Sequence, residues 1–273
     1  MLSATQLLNA LLERASAINE TETVALTAAL GRVLAAPQIS AITVPPLDNS
    51  AMDGYAVRVA DVVRAGVRLP VSQRIQAGKV GVALAPGSAA RIFTGAPVPP
   101  GADAVLMQED CGSDGVDVVI NKLPWSGENI RRAGEDIQAG APILAAGTRI
   151  GAAEMGLAAS VGLAELPVLR RLKVACFFTG DELVTPGQAL QPGQIYNSNR
   201  YTLSGLVNGL GCELIDLGIV PDTLEDTETA LQGAAGIADV VVTSGGVSVG
   251  EADYVKAAVE KLGRVEMWKV AMK

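Results

Sequence analysis

The chain contains no histidine. That one absence removes Ser-His-Asp and Cys-His catalysis, His-ligated zinc and imidazole acid–base chemistry together. Any catalysis must draw on carboxylates, lysine, arginine, hydroxyls, backbone N–H groups or a hard metal held by oxygen. Cysteine is nearly as scarce: Cys111, Cys176 and Cys212 are odd in number and scattered. A disulfide framework and a four-cysteine zinc site are excluded, and Cys176, in an apolar run, reads as core. Aromatic residues make up only 3% of the chain and the net charge is −8. With neither a basic stripe nor stacking aromatics, a nucleic-acid partner is not expected. No long apolar run is free of charge either. The best candidate, residues 152–169, carries Glu154 and Glu165, so no membrane span is expected. The N-terminus lacks the basic and apolar regions of a secretory signal, which makes the expected location cytoplasmic.

What is present is apolar material in quantity. Of 273 residues 49% are hydrophobic and mean hydropathy is +0.33, enough for two or three domains. Residues 3–36 read as two helices. The first opens on a Ser3/Gln6 capping box and carries Leu7, Leu8, Leu11, Leu12 and Ala15 on one face; the second covers residues 26–34 and stops before Pro37. From 48 to 136 short apolar runs alternate with Gly and Pro turns, a β-rich texture, with strands expected at 55–57, 69–75, 89–92, 104–107 and 116–120. Residues 137–167 include a helix at 152–161 and read as a return to the first domain. The remainder alternates strands at 172–178, 213–219, 240–243 and 265–270 with helices near 199–209, 223–236 and 253–262, the pattern of a parallel α/β domain. Asp222 with Glu225 reads as a capping signal for the second of these helices. The fold class is therefore multidomain α/β plus β-rich. Its limits are a discontinuous helical domain at 1–47 and 137–167, an inserted β-rich domain at 48–136, and an α/β domain at 168–273.

In an open parallel sheet, ligands sit beyond the carboxyl ends of the strands. Those ends carry Asp181 and Glu182, then Asp222, then Thr243-Ser244-Gly245-Gly246-Val247-Ser248 followed by Glu251 and Asp253. The paired glycines let a ligand approach the backbone, and free N–H groups at a helix start favour an anion. Each feature alone also has a plain reading: a βα turn, a helix cap, a solvated carboxylate. Carboxylates around an anion are compatible when a cation such as Mg2+ lies between them. Arg131 and Arg132, beside Glu135 and Asp136, fit either a surface ion-pair network or an oxyanion clamp.

Five runs go further. Asp48-Asn49-Ser50-Ala51-Met52-Asp53-Gly54-Tyr55-Ala56-Val57, Phe93-Thr94-Gly95-Ala96-Pro97-Val98-Pro99, Asn129-Ile130-Arg131-Arg132-Ala133-Gly134-Glu135-Asp136-Ile137, Thr179-Gly180-Asp181-Glu182-Leu183 and Thr243-Ser244-Gly245-Gly246-Val247-Ser248 occur in this order across the whole chain. The set resembles the molybdopterin molybdenumtransferase family, the bacterial MoeA type related to the E domain of gephyrin. The resemblance implies insertion of molybdate into adenylylated molybdopterin with release of AMP and a requirement for Mg2+. It also implies an elongated homodimer with a helical first domain, an inserted β-rich domain, a molybdopterin-binding (MogA-like) α/β domain and a small C-terminal β domain. The active cleft of such dimers forms between the second domain of one subunit and the third and fourth domains of the other. The matching catalytic positions are Asp53, Thr94, Asp136, Glu182, Asp222, Asp253 and Lys273, with Glu182, Asp222 and Asp253 as metal ligands. By the same analogy Ser244, Gly245, Gly246 and Ser248 hold the pterin end, and Arg131 and Arg132 contact the substrate.

Two departures stand out. Pro221 replaces the basic residue the family carries before the position of Asp222, and the family's segment and fourth domain beyond the position of Lys273 are missing. The chain is accordingly expected to be a truncated member with an incomplete third domain and reduced or no activity. Two other readings remain: a non-catalytic molybdopterin-binding or scaffold module, and a molybdopterin adenylyltransferase-like enzyme. The latter class lacks the runs at 48–57 and 129–137.

Overall fold

The computed structural model describes residues 2–246, 254–266 and 270–271. Helix α1 (Ala4–Arg14) begins as expected. Ser3 Oγ accepts from the Gln6 N–H while Gln6 Oε1 accepts from the Ser3 N–H, so two orphan donors of the first turn are satisfied reciprocally. None of its residues is buried, and Leu8, Leu11 and Leu12 are all exposed.

The expected second helix over residues 26–34 does not form. Thr21–Ala25 is a strand paired with Glu165–Leu169, followed by a single 3-10 turn at Leu26–Ala28. Thr21, Thr23 and Val24 are β-branched and suit a strand, and Gly31, at φ +76°, breaks any helix over 26–34. Long-range contacts then fix the segment. Arg32 is buried, pairs with Glu22, and donates to the Leu169 carbonyl at 2.8 Å.

The chain divides into two compact units, one of residues 1–24, 28–35 and 167–273, the other of residues 25–27 and 36–166. Residues of the expected helical first domain are shared between both.

In the second unit six strands form one sheet: β1 (Gly54–Val57), β2 (Val67–Ile75), β3 (Ala89–Ile92), β4 (Ala104–Met107), β5 (Cys111–Ser113) and β6 (Asp117–Ile120). Their order is β4-β1-β3-β2-β6-β5, with β2 and β3 parallel and the other pairs antiparallel. All four residues of β1 are buried, because alternate side chains feed two cores. Tyr55 and Val57 pack with Leu69, Leu106, Val118 and Ile120 on one face; Ala56 packs with Ile75, Ile92 and Val105 on the other. Gly54 has no room for a side chain, since a Cβ there would overlap the Leu106 carbonyl on β4. Helix α2 (Ala152–Ser160) also belongs to this unit.

In the first unit three parallel strands, β7 (Lys173–Thr179), β8 (Glu213–Val220) and β9 (Val240–Ser244), stand in the order β8-β7-β9. Helices α3 (Ser198–Gly209) and α4 (Leu224–Ala235) connect them, and α5 (Tyr254–Leu262) follows. Central β7 is covered on both faces, as a parallel strand with helical crossovers should be. Val174, Cys176 and Phe178 pack with Val207 of α3, while Ala175 and Phe177 face the opposite side, fully buried. The cap of α4 is Thr223, whose hydroxyl accepts from the Asp226 N–H at 3.1 Å, and not Asp222. A one-residue shift in the helix start leaves Asp222 in the connection. Part of the expected fourth strand, residues 267–269, lies outside the described residues; Val270–Ala271 pairs in parallel with Leu2–Ser3 rather than with β9. Among the described residues no helix is long and apolar enough to cross a membrane.

Candidate functional site

In the first unit a cleft of about 190 Å³ opens at the carboxyl ends of β7 and β9, bordered by Thr179, Glu182, Asn197, Asn199, Ser244 and Gly245. Two chain reversals build it. After β7, Gly180 takes φ +144°, and Glu182 then hangs at the mouth, exposed. The backbone beyond is tied down by parallel pairing of Leu183–Val184 with Ile195–Tyr196, which delivers Asn197 to the head of α3. After β9, Gly245 (φ +113°) and Gly246 (φ +60°) turn the chain in the left-handed region. A Cβ on Gly245 would overlap the Thr179 carbonyl, and one on Gly246 would press on Val255 of α5 at 2.8 Å. Both glycines are therefore required by the protein's own packing, quite apart from any ligand.

Two residues that line this cleft each carry a polar atom with no hydrogen-bond partner. Thr179 Oγ1 and Asn197 Nδ2 are buried and unsatisfied, although their residues are only 4% and 2% exposed. An unmade bond at such a site costs roughly 1–3 kcal/mol. Asn197 spends its Oδ1 as the cap of α3, accepting from the Arg200 N–H at 3.1 Å, which fixes the side chain and leaves Nδ2 without a partner. Next to it, Asn199 Nδ2 donates to Ser244 Oγ at 2.7 Å, and a shallower hollow of about 230 Å³ continues past this pair along Thr202, Leu203 and Thr243. Asn197 and Asn199 escape a reading of the sequence because each looks like an ordinary helix start, and Thr179 appears there only as the first residue of a motif run. Unsatisfied burial marks Thr179 and Asn197, and the bond to Ser244 marks Asn199.

Of the metal candidates, Glu182 and Asp222 follow neighbouring strands whose ends are in register, Thr179 against Val220. Asp181 accepts from the Asp222 N–H at 3.5 Å. Carboxylate oxygen is the right donor type for Mg2+. Among the described residues no group of three or more potential ligands is assembled; Asp253, with Ser248 and Lys273, lies outside the described residues.

The second unit brings together three of the sequence runs. Asn49–Ser50 pairs antiparallel with Ile130–Arg131, and Ser50 exchanges backbone hydrogen bonds with Gly95 and Ala96. Asp53 Oδ1 then accepts from both the N–H and the hydroxyl of Thr94, at 2.8 and 2.7 Å. The Thr94 N–H, and after it the hydroxyl, hold the Asp53 carboxyl below the usual carboxylate range. The arginines are both occupied. Arg131 Nη2 donates to both oxygens of Asp136 at 2.7 Å, which pushes its pKa upward. Arg132 Nη1 donates to Asp48 at 2.6 Å, and Asp48 also accepts from the Ala133 N–H, the main cause of its lowered pKa. All of these groups are exposed or half-exposed, so they can exchange partners with an incoming anion at small cost.

Residues 2–162 match the family model described as the MoeA N-terminal region (domain I and II), and residues 175–273 match the probable molybdopterin binding domain. Over its full length the chain is 45% identical to the molybdopterin molybdenumtransferase of Haemophilus influenzae, covering 68% of that protein. It is 46% identical to that of Nostoc sp. over 249 residues, which are 89% of this chain and 57% of the relative. The crystal structure of the molybdopterin biosynthesis MoeA protein from Pyrococcus horikosii is similar with a TM-score of 0.82 at 35% identity, over 99% of this chain and 69% of that one. The chain thus spans between 57% and 68% of the length of these two curated relatives. With one family model matching more than half of its residues and a relative 45% identical along its whole length, the chain belongs to the MoeA family.

Proposed function

We propose that this chain binds adenylylated molybdopterin and serves in the insertion of molybdate into it, with release of AMP, as a molybdopterin molybdenumtransferase of molybdenum cofactor biosynthesis. The observation that carries the proposal is the cleft beside β7 and β9, where a buried hydroxyl and a buried amide, Thr179 Oγ1 and Asn197 Nδ2, have no partner in the chain. A pterin, with its ring of alternating donors and acceptors, is a ligand that would complete them.

In this reading Ser244, Gly245, Gly246 and Ser248 border the pterin end. Asp53, Thr94, Asp136, Glu182, Asp222, Asp253 and Lys273 serve the reacting groups, and Arg131 and Arg132 exchange Asp136 and Asp48 for substrate oxygens. Molybdate brings its own oxygen nucleophile, so a chain without histidine loses nothing essential; its task is to position anions. Glu182, Asp222 and Asp253 would hold Mg2+, which supplies charge neutralisation at the phosphates. The protein works as a cytoplasmic homodimer, the exposed Leu8, Leu11 and Leu12 of α1 being the apolar surface such an assembly would cover.

The test is binding of adenylylated molybdopterin by calorimetry. Thr179→Val and Asn197→Leu should each weaken it about tenfold, the worth of one buried hydrogen bond. Thr179→Val should leave thermal stability unchanged or raised, because it removes an unsatisfied atom. Glu182→Gln with Asp222→Asn should abolish the dependence of that affinity on Mg2+. Full affinity in both cleft variants would overturn the assignment.

A further inference from the structure

The second unit carries a row of side chains that its own fold does not explain. Strand register sets Tyr55 of β1 opposite Arg91 of β3, and Arg91 opposite Arg74 of β2. Two like charges directly opposite on neighbouring strands destabilise a sheet. Among the described residues neither arginine forms a salt bridge. Arg91 spends two donors on neutral acceptors, the Gly54 carbonyl at 2.8 Å and Gln108 Oε1 at 2.6 Å. Arg74 rests against the ring of Phe93, its guanidinium carbon 4.7 Å from the centroid, and Arg91 lies 4.6 Å from the same centroid and 5.2 Å from that of Tyr55. The aromatic rings hold both guanidinium planes in place without cancelling their charge.

Tyr55, Arg74 and Arg91 border a cavity of about 360 Å³, lined also by Ser72, Gln73 and Ser113. None of the nearby carboxylates forms a salt bridge with either guanidinium. Asp114 and Asp117 pair with Arg68 at 2.7 and 3.3 Å, Glu109 accepts from Gln108 Nε2, and Asp53 is hydrogen-bonded by Thr94 while feeling the Arg91 charge at longer range. Two guanidiniums held on aromatic rings without a salt bridge, at a polar cavity large enough for a small molecule, are the ordinary requirements for a phosphate oxyanion, which accepts from planar N–H forks.

We propose that Arg74 and Arg91 form an anion site on this sheet that takes a phosphoryl group, either as free phosphate or at the end of a small organic phosphate. It lies on the sheet of the second unit and is argued from residues that the function proposed above does not use. The 273-residue chain is titrated at fixed ionic strength with inorganic phosphate, with phenyl phosphate, and with phenol as an uncharged control. Affinity is read by calorimetry and site by the Nε–H resonances of the arginines. Phosphate and phenyl phosphate should bind and shift the resonances of Arg74 and Arg91, and phenol should not. Tighter binding of phenyl phosphate identifies an organic phosphate as the occupant; equal binding identifies the free ion. Arg74→Gln, at an exposed position, should weaken binding at least about tenfold without changing the melting temperature. Arg64→Gln, which removes the same charge from the same unit, should leave affinity unchanged. Unaltered affinity in Arg74→Gln, or saturation without movement of the Arg74 and Arg91 resonances, would overturn the proposal.

Discussion

At the scale of single residues, the informative side chains are those whose bonding is either incomplete or doubled. Thr179 and Asn197 are incomplete, and a ligand completes them under the proposal above. Asp53 is doubled, with two bonds from Thr94 converging on one oxygen. Replacing Thr94 by Val removes the hydroxyl and keeps the N–H, the larger cause of the low Asp53 pKa. The Asp53 pKa should therefore rise only part of the way to its ordinary value of 3.8 in Thr94→Val, as read by NMR titration of its carboxyl carbon. Gly245 gives a second expectation. Its φ of +113° and the Thr179 carbonyl leave no place for a methyl group. Gly245→Ala should cost roughly 2–4 kcal/mol in urea unfolding, through strain and overlap together. If Gly245→Ala were as stable as the parent, the turn would be adjustable and its glycine would serve the ligand alone.

At the scale of elements, one arginine links three segments. Arg170 precedes β7, pairs with Glu20, and donates to both oxygens of Asp239, which precedes β9, at 2.7 and 2.8 Å. Asp239 also accepts from the first N–H of β7, that of Lys173, at 2.8 Å. The Arg170 guanidinium, followed by that N–H, holds the Asp239 pKa down at about 2, against an ordinary 3.8. A carboxyl depressed in the folded state stabilises fully above its unfolded pKa and loses that contribution as pH falls through the folded value. Asp239→Asn should thus lower the melting temperature at neutral pH by a constant amount. That difference should begin to shrink below about pH 4 and vanish near pH 2. A difference independent of pH down to about 2 would assign the role of Asp239 to its neutral hydrogen bonds.

At the scale of the whole molecule, two units with separate cores predict separable folding. Residues 36–166 enclose both hydrophobic clusters of the six-stranded sheet. Expressed alone, this segment should unfold in one cooperative transition with a dispersed amide spectrum; a non-cooperative melt would show that it depends on the rest of the chain. Assembly belongs to the same scale. Leu8→Glu with Leu12→Glu should convert the proposed homodimer to monomer in light scattering while leaving the melting of residues 36–166 untouched. A parent chain that is strictly monomeric at tens of micromolar would remove the homodimer from the proposal.

The sequence alone determined what local chemistry can specify. Lack of histidine fixed the catalytic repertoire, the Ser3/Gln6 box fixed the start of α1, and short apolar runs between Gly and Pro turns located every strand of the six-stranded sheet except Cys111–Ser113, because such runs and caps are properties of a few adjacent residues. The five motif runs carried family membership, being long enough to be specific in themselves. Tertiary structure decided what depends on distant partners. Residues 26–34 carry a helical apolar pattern, yet pairing of Thr21–Ala25 with Glu165–Leu169 and the long reach of Arg32 to Leu169 override it. Asp48 meets Ala133, and Ser50 meets both Gly95 and Ile130, only after the chain has closed loops of about forty to eighty residues, which no local pattern encodes. The unsatisfied Thr179 and Asn197 are the clearest case. A hydroxyl and an amide are ordinary in a sequence, and become a candidate site only when folding removes water without supplying a partner.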